Sequence, residues 1–154
     1  MLVARGRWRR LELTCDDQPA GRLAQRGGRA VAYLPAATLA FNNHSKFDTR
    51  AYAVPAGADP RVPPAGPATM TGTTTRIAEY AWDIRAGDRR YRMVQGRGDR
   101  YTLDENGDLL GDGWFTALFV HRQWLAVPVT VPLEHQAFIV WLAYRTFILR
   151  QTDL

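Results

Sequence analysis

The sequence predicts a mainly β protein, an antiparallel β-barrel or strongly curled sheet of about nine or more strands around a buried, hydrophobic C-terminal helix. Three observations support this prediction. Apolar and polar residues alternate in many short runs, and turn-forming residues separate these runs at short intervals. One late segment is apolar on every side and must be enclosed by the rest of the chain.

The size and composition are those of one globular domain, which we predict over residues 1–154. Hydrophobic residues make up 46% of the chain and charged residues 23%, far from the disordered range. The first ten residues lack the apolar core of a signal peptide, and no stretch reaches the ~18 apolar residues that span a bilayer. We therefore expect a cytoplasmic protein, with peripheral membrane association as one option.

The alternating runs are typical of antiparallel strands with one face inward and the other in water. The inward rows are expected at Leu11, Leu13 and Cys15; at Val31 and Tyr33, continued by Leu39 and Phe41; at Tyr80, Trp82 and Ile84; at Tyr91 and Met93; and at Tyr101 and Leu103. Cys15, the single cysteine, excludes an internal disulfide and is expected to be a buried, unreactive thiol.

Short turn signals separate these rows. They lie at Gly27-Gly28, Asn42-Asn43, Ala86-Gly87-Asp88, residues 96–99 and Asn106-Gly107. Asn106-Gly107 is the strongest, since both residues tolerate the positive φ that a two-residue hairpin turn requires. By contrast, a Pro/Gly/Thr-rich segment at about residues 54–75 has almost no large apolar side chain, and we predict a long, partly mobile loop there.

The C-terminal helix is predicted after Pro132, which suits a first helical position, with Glu134 at the positive end of the helix dipole. Eight consecutive apolar residues, 137–144, circle the axis more than twice and leave no polar face. The apolar stretch to Leu149 spans roughly 20 Å at 1.5 Å per residue, too short for a bilayer core of about 30 Å. We therefore expect a curled sheet around it; the alternative is a helix packed between a sheet and the remaining core.

Three segments share features with one known superfamily. Residues 101–110 form a late strand pair with Asn-Gly at its turn, residues 127–134 lead into Phe138-Ile-Val-Trp-Leu142, and residues 9–25 look like an opening hairpin. Together with the predicted barrel, they resemble the Tubby C-terminal-like superfamily, which includes phospholipid scramblases and LURP-one-related proteins. The resemblance implies a non-enzymatic, lipid-binding barrel. The proline-rich loop and the absence of a scramblase-like acidic calcium cluster depart from it.

No catalytic constellation stands out in the sequence. His44, His121 and His135 lack metal-ligand spacing, and we expect His135, on the first helical turn, to be a hydrogen-bonded core histidine. Phosphate-loop, dinucleotide and nucleophile-elbow motifs are absent. We therefore predict no enzymatic activity, no cofactor and no metal site.

The remaining signal is cationic. The formal net charge is +5, and because Lys46 is the single lysine among 20 basic residues, 19 are arginines. They are concentrated in two clusters, and arginine binds phosphate groups through its planar fork. The candidate ligand-binding residues, for an anionic headgroup or phosphate, are Arg5, Arg7, Trp8, Arg9 and Arg10 in the first cluster, and Arg85, Arg89, Arg90, Arg92, Arg97 and Arg100 in the second.

The first hypothesis for function is binding of anionic lipid headgroups or a membrane surface through these arginines. A nucleic acid is the second candidate partner, with Trp8 or Tyr91 stacking on bases. A structural or protein-interaction domain is the third, and a solvated outer face of strands is the alternative reading of the arginines. If the two clusters form one patch, both anion-binding hypotheses are favoured; if they scatter, both are weakened.

Overall fold

The computed structural model describes residues 1–7, 9–64, 66–74, 81–117 and 120–152, and only the backbone of residues 117 and 148–152. Within these residues the chain forms twelve β-strands and one α-helix. The strands are β1 (Leu2–Arg7), β2 (Arg10–Cys15), β3 (Gln18–Arg26), β4 (Arg29–Tyr33), β5 (Thr38–Ser45), β6 (Asp48–Ala53), β7 (Met70–Thr73), β8 (Ala81–Ala86), β9 (Arg89–Gln95), β10 (Arg100–Glu105), β11 (Asp108–Ala117) and β12 (His121–Ala126), and the helix is α1 (Leu133–Thr152).

The twelve strands form a closed antiparallel barrel in which each strand pairs with its neighbours along the chain. The barrel closes because β1 pairs with β12, with Leu2 opposite Leu125 and Gly6 opposite His121. Closure leaves no sheet edge to which another strand could pair. The predicted barrel is therefore confirmed, although β1, β6 and β7 lie in segments for which no strand was predicted.

The strand directions define two ends of the barrel. We call the end at which β1 meets β2 the upper end; the odd-numbered strands run toward it and the even-numbered strands run away from it. Because β12 ends at the lower end, residues 127–132 lead into α1 there, and the helix runs upward through the barrel.

The helix lies inside the barrel, as the sequence predicts. Eleven consecutive residues, 136–146, are buried. Phe138 packs edge-on against Phe41 of β5, with ring centroids 5.2 Å apart. Trp82 of β8 donates its indole N–H to Thr146 Oγ1 at 2.7 Å. Contacts on strands from different sides of the barrel, together with burial all round, account for a helix that has no polar face.

The loop predicted at residues 54–75 ends earlier than expected, because Met70–Thr73 forms β7. Gly72 faces the helix, and a Cβ atom there would come within 2.7 Å of Leu142 Cδ1. A glycine in a strand often marks such a close approach. Tertiary packing against α1 thus stabilises a strand that the local sequence pattern does not reveal.

The described remainder of this loop, residues 54–64 and 66–69, follows the outside of the barrel, where Pro60 and Arg61 lie beside residues of β3 and β4. Thr69 donates its backbone N–H to the Ala51 carbonyl at 2.8 Å, which fixes one end of the loop to β6. Ala40 and Tyr52 point outward, yet they are only 2% and 8% exposed. Their burial indicates that the loop covers them.

The predicted inward row at Val31 and Tyr33 is wrong. Ala30 and Ala32 point into the barrel and are 2% and 0% exposed, whereas Val31 and Tyr33 are half-buried on the outside. Small inward side chains suit a barrel whose interior is already filled by a helix. In β2, β5, β8, β9 and β10 the predicted inward residues are confirmed where the structure describes them. Cys15, at the end of β2, is half-buried against the core. Tyr80 lies outside the described residues.

The strongest turn signal is confirmed. Asn106 and Gly107 connect β10 to β11 with φ values of 52° and 90°, as a twist-matched hairpin turn requires. The predicted turn at Asn42-Asn43 is wrong, since both residues lie within β5 and the chain reverses two residues after His44, at Lys46 and Phe47. Asn43 is instead held in the strand, where its Oδ1 accepts a hydrogen bond from Thr49 at 3.1 Å.

Candidate anion-binding face

The predicted arginines do not gather at one end of the barrel. The first cluster lies on β1 and β2, the second on β8, β9 and β10 with the turn after β9, and β11 and β12 separate the two. Strand direction places Arg7, Arg9, Arg10, Arg97 and Arg100 toward the upper end, Arg85, Arg89 and Arg90 toward the lower end, and Arg5 and Arg92 between them. Trp8 lies outside the described residues.

The structure joins part of both clusters across β11 and β12. Inward residues of these strands are buried, so the alternate residues face outward. On β1, β12, β11 and β10 these outward residues form one surface, which we call the Arg–Trp face. Its cationic and aromatic members are Arg5, Arg7, Arg100, Trp114, Arg122 and Trp124; Thr102, Asp112 and Thr116 also face outward there.

Two tryptophans lie at the centre of the Arg–Trp face. Trp114 is directly opposite Trp124 in the β11–β12 ladder, and their rings stack with centroids 5.3 Å apart and an interplanar angle of 15°. The Arg122 guanidinium lies 5.4 Å from the Trp124 ring centroid. Arg100 is opposite Trp114 on the other side. The two ring systems and two guanidinium groups therefore form a continuous cationic and aromatic strip.

The arginines of this face make no ion pair in the part of the chain that the structure describes. Arg5 lies between Arg122 of β12 and Glu12 of β2 in the ladder, but Glu12 is ion-paired with Arg10 at 2.7 Å. Within the described part of the chain, Arg5 and Arg122 make no ion pair, and the buried Nε of Arg122 has no hydrogen-bond acceptor. Like charges directly opposite each other destabilise a sheet. An anion bound between them would remove this repulsion.

The turns at the two ends of the barrel differ in charge. The described turns at the upper end and the residues beside them carry Arg7, Arg9, Arg10, Arg26, Arg29, Lys46, Arg97 and Arg100 against Asp48 and Asp99. The corresponding lower turns carry Asp16, Asp17, Asp88, Glu105 and Asp108 against Arg89. The Arg–Trp face therefore adjoins the more cationic end, which strengthens its attraction for anions.

Arg89, one of the predicted ligand residues, has partners within the protein. It forms a bidentate ion pair with Glu105, at 2.7 and 2.8 Å, and donates a third hydrogen bond to the Thr130 carbonyl at 2.7 Å. These contacts tie β9 and β10 to the segment that leads into the helix. The Arg89 guanidinium also holds the pKa of Glu105 below its usual value.

A second contact fixes the start of the helix. The Tyr91 hydroxyl lies 2.8 Å from His135 Nδ1. Burial raises the pKa of Tyr91 to about 12 and lowers the pKa of His135, so at neutral pH a neutral phenol and a neutral imidazole share this hydrogen bond. His135 is thus hydrogen-bonded, as the sequence predicts, but it is half-buried at the start of the helix and not part of the core. We call Arg89, Tyr91, Glu105, Thr130 and His135 together the lower clamp.

The other lower arginines differ from Arg89. Arg92 pairs with Asp83 across the β8–β9 ladder at 3.2 Å. Arg85 and Arg90 are opposite each other and make no ion pair among the described residues. They border an open groove of about 570 Å³ whose other walls include Asp48 and Asp83. Both carboxylates are ion-paired, Asp48 with Arg50 and Asp83 with Arg92, and the groove differs from the Arg–Trp face because no tryptophan is among its described lining residues.

A buried cation lies inside the upper half of the barrel. Arg145 of α1 is 9% exposed, donates to the Thr49 hydroxyl and lies 5.6 Å from the Trp82 ring centroid. Burial lowers its pKa to about 10, so it remains charged at neutral pH. Because the barrel wall encloses it, Arg145 does not contribute to the outer face.

Sequence reasoning missed Trp114, Arg122 and Trp124, none of which is among the ligand-binding residues predicted above. A signal for them does exist. Trp114 and Trp124 are equally distant from residue 119, so a hairpin centred there places them opposite each other. Arg122 follows by alternation, two residues before Trp124.

No family model matches this chain, and no curated protein or solved structure matches it. The resemblance to the Tubby C-terminal-like superfamily therefore stays a prediction, although the barrel with an enclosed helix is confirmed. In the described residues, no helix combines the length and apolar character needed to cross a membrane. The same residues contain no group of three or more potential metal-ligating side chains.

Proposed function

We propose that this protein is a non-enzymatic barrel domain that binds anionic membrane surfaces through the Arg–Trp face. The observation that carries the proposal is the Arg5–Arg122 pair, two opposed cations that make no ion pair among the described residues, beside a stacked tryptophan pair. Each basic residue near an anionic surface contributes about 1 kcal/mol. Tryptophan, with an apolar ring and one N–H donor, suits the interfacial region of a bilayer.

The membrane is favoured over a nucleic acid by the geometry of the tryptophans. Trp124 already has the Trp114 ring and the Arg122 guanidinium against it. Little ring surface is left on Trp124 for the base stacking on which single-strand binding depends. The described helix is buried inside the barrel and is not available to enter a groove of duplex DNA.

Co-sedimentation with vesicles tests the proposal. We expect the protein to pellet with phosphatidylserine-containing vesicles and not with pure phosphatidylcholine, and to be released by salt. The double variant Arg5→Gln, Arg122→Gln should bind about 30-fold more weakly, because two contributions of about 1 kcal/mol are lost.

The matched control is the double variant Arg85→Gln, Arg90→Gln, which removes another opposed arginine pair at the lower end. It should retain most of the vesicle affinity. Equal pelleting with both vesicle types, or an equal loss in both double variants, contradicts the proposal. Tight, salt-sensitive binding of single-stranded DNA with no vesicle binding would favour the nucleic-acid alternative instead.

A further inference from the structure

An outward-facing pocket of about 340 Å³ lies between β3, β4 and the proline-rich loop. Ala24 and Val31, opposite each other in the β3–β4 ladder, form its floor, and Pro60 of the loop forms part of a wall. The volume is within the range of small-molecule sites. We call this site the outer pocket; its lining includes Ala24, Arg26, Arg29, Val31, Tyr33 and Pro60.

The floor of the outer pocket is apolar although it faces away from the barrel interior. Val31 and Tyr33 are the residues whose outward direction differs from the sequence prediction, and both remain only half-buried. The Arg22 guanidinium lies 4.4 Å from the Tyr33 ring centroid and covers part of that ring. Apolar side chains arranged around a concave space on an outer surface favour an apolar ligand.

The upper end of the outer pocket is cationic. Arg26 and Arg29 are opposite each other at the end of the β3–β4 hairpin, are both exposed, and make no ion pair among the described residues. The nearest acid on the loop side, Asp59, is paired with Arg61 at 3.1 Å. An anionic group between Arg26 and Arg29 would relieve their repulsion and accept hydrogen bonds from both.

The dimensions define the ligand further. Arg29 and Tyr33 are four residues apart on one strand, which at 3.4 Å per residue is roughly 14 Å. We propose that the outer pocket binds a flat, mainly apolar small molecule that carries one anionic group, with its apolar body over Ala24, Val31 and Tyr33. This inference goes beyond the proposed membrane binding and uses a different face of the barrel. It also assigns a role to the proline-rich loop, which forms a wall of the pocket.

The fluorescent anion 8-anilinonaphthalene-1-sulfonate is a suitable probe, because it combines fused aromatic rings with one sulfonate. We expect saturable binding at one site, with a rise in fluorescence as the probe leaves water. Arg26→Gln should weaken binding about tenfold by removing one charge-assisted contact. Ala24→Phe fills the floor and should abolish binding.

Two controls separate the site from general adhesion of the dye. Arg90→Gln removes one member of the opposed Arg85–Arg90 pair, which borders a separate groove on other strands, and should leave affinity for the probe in the outer pocket unchanged. The uncharged analogue N-phenyl-1-naphthylamine should bind at least tenfold more weakly. Far-UV circular dichroism checks that each variant folds, and Arg29→Gln repeats the charge test at the opposed position.

The inference is overturned if the probe shows no saturable binding, if the uncharged analogue binds equally well, or if Arg26→Gln and Arg90→Gln have the same effect. The test is independent of the membrane proposal. Arg5→Gln, Arg122→Gln should keep full probe binding, and Ala24→Phe should keep full vesicle binding, so failure of one proposal leaves the other standing.

Discussion

The lower clamp and the Arg–Trp face use arginine in opposite ways. In the lower clamp, Arg89 has three hydrogen bonds to acceptors within the protein, at 2.7 to 2.8 Å. On the Arg–Trp face, Arg5 is opposite Arg122, and neither has an ion-pair partner among the described residues. The first arrangement stabilises the fold and the second does not. The amino-acid composition does not distinguish the two kinds of arginine. Which partners each arginine has depends on the register of the strands.

The largest effect is expected from Arg89→Gln. The variant loses the bidentate pair with Glu105 and the contact with the Thr130 carbonyl. Because solvent screens the partly exposed ion pair, we expect a decrease of only about 2 kcal/mol in the free energy of unfolding. Urea denaturation followed by tryptophan fluorescence measures it. Vesicle affinity should change less than twofold. Arg26→Gln, on an exposed hairpin, is the matched control and should leave stability nearly unchanged; equal losses in both variants contradict the comparison.

The same variant should change the acid dependence of stability. Because Arg89 lowers the pKa of Glu105 below its ordinary 4.5, the pair contributes stability that is present above pH 4.5 and lost as the pH falls through the folded-state pKa. Arg89→Gln should therefore lose less stability than the wild type between pH 5 and the acid limit of folding. If the difference in the free energy of unfolding between the two proteins stays constant over that pH range, Arg89 does not lower the pKa of Glu105.

Next in size is Tyr91→Phe, which removes the hydrogen bond between the Tyr91 hydroxyl and His135 Nδ1 and leaves a half-buried ring nitrogen without its partner. We expect a loss of about 1 kcal/mol in the free energy of unfolding. Tyr33→Phe is a fair control, since Tyr33 is half-buried on the outer face. Greater destabilisation by Tyr33→Phe than by Tyr91→Phe would refute the role given to the clamp.

A smaller effect is expected from mild acid. Burial lowers the pKa of His135 below its ordinary 6.5, so the unfolded chain binds a proton more readily than the folded protein. Stability from this group is therefore complete above pH 6.5 and declines as the pH falls below it. The pKa of His121 is also lowered by burial, so the decline should persist in part when His135 is replaced. Chemical denaturation of the wild type and His135→Gln between pH 7.5 and 5.5 should show a shallower slope for the variant.

The sequence predicted the fold better than the site. The barrel and the enclosed helix follow from alternation and from the all-round apolar segment at residues 137–144, which are local patterns. The orientation of β4 could not be predicted, because large apolar residues such as Val31 and Tyr33 are normally expected to face inward. Here the helix fills the interior, and the smaller Ala30 and Ala32 face it instead. The Arg–Trp face could not be assembled either, since it depends on the pairing of β1 with β12, whose residues are more than 100 positions apart.

The smallest change in stability is expected from Arg5→Gln, and it tests the comparison most directly. Arg5 is exposed and opposes Arg122 on one side and an already paired Glu12 on the other. We expect a change of less than about 0.5 kcal/mol in the free energy of unfolding. The same variant should bind phosphatidylserine vesicles about fivefold more weakly, because one contribution of about 1 kcal/mol is lost. Arg89→Gln should thus lower stability and keep vesicle affinity, whereas Arg5→Gln should keep stability and lower vesicle affinity. A loss of stability above about 1 kcal/mol in Arg5→Gln would mean that the Arg–Trp face also stabilises the barrel.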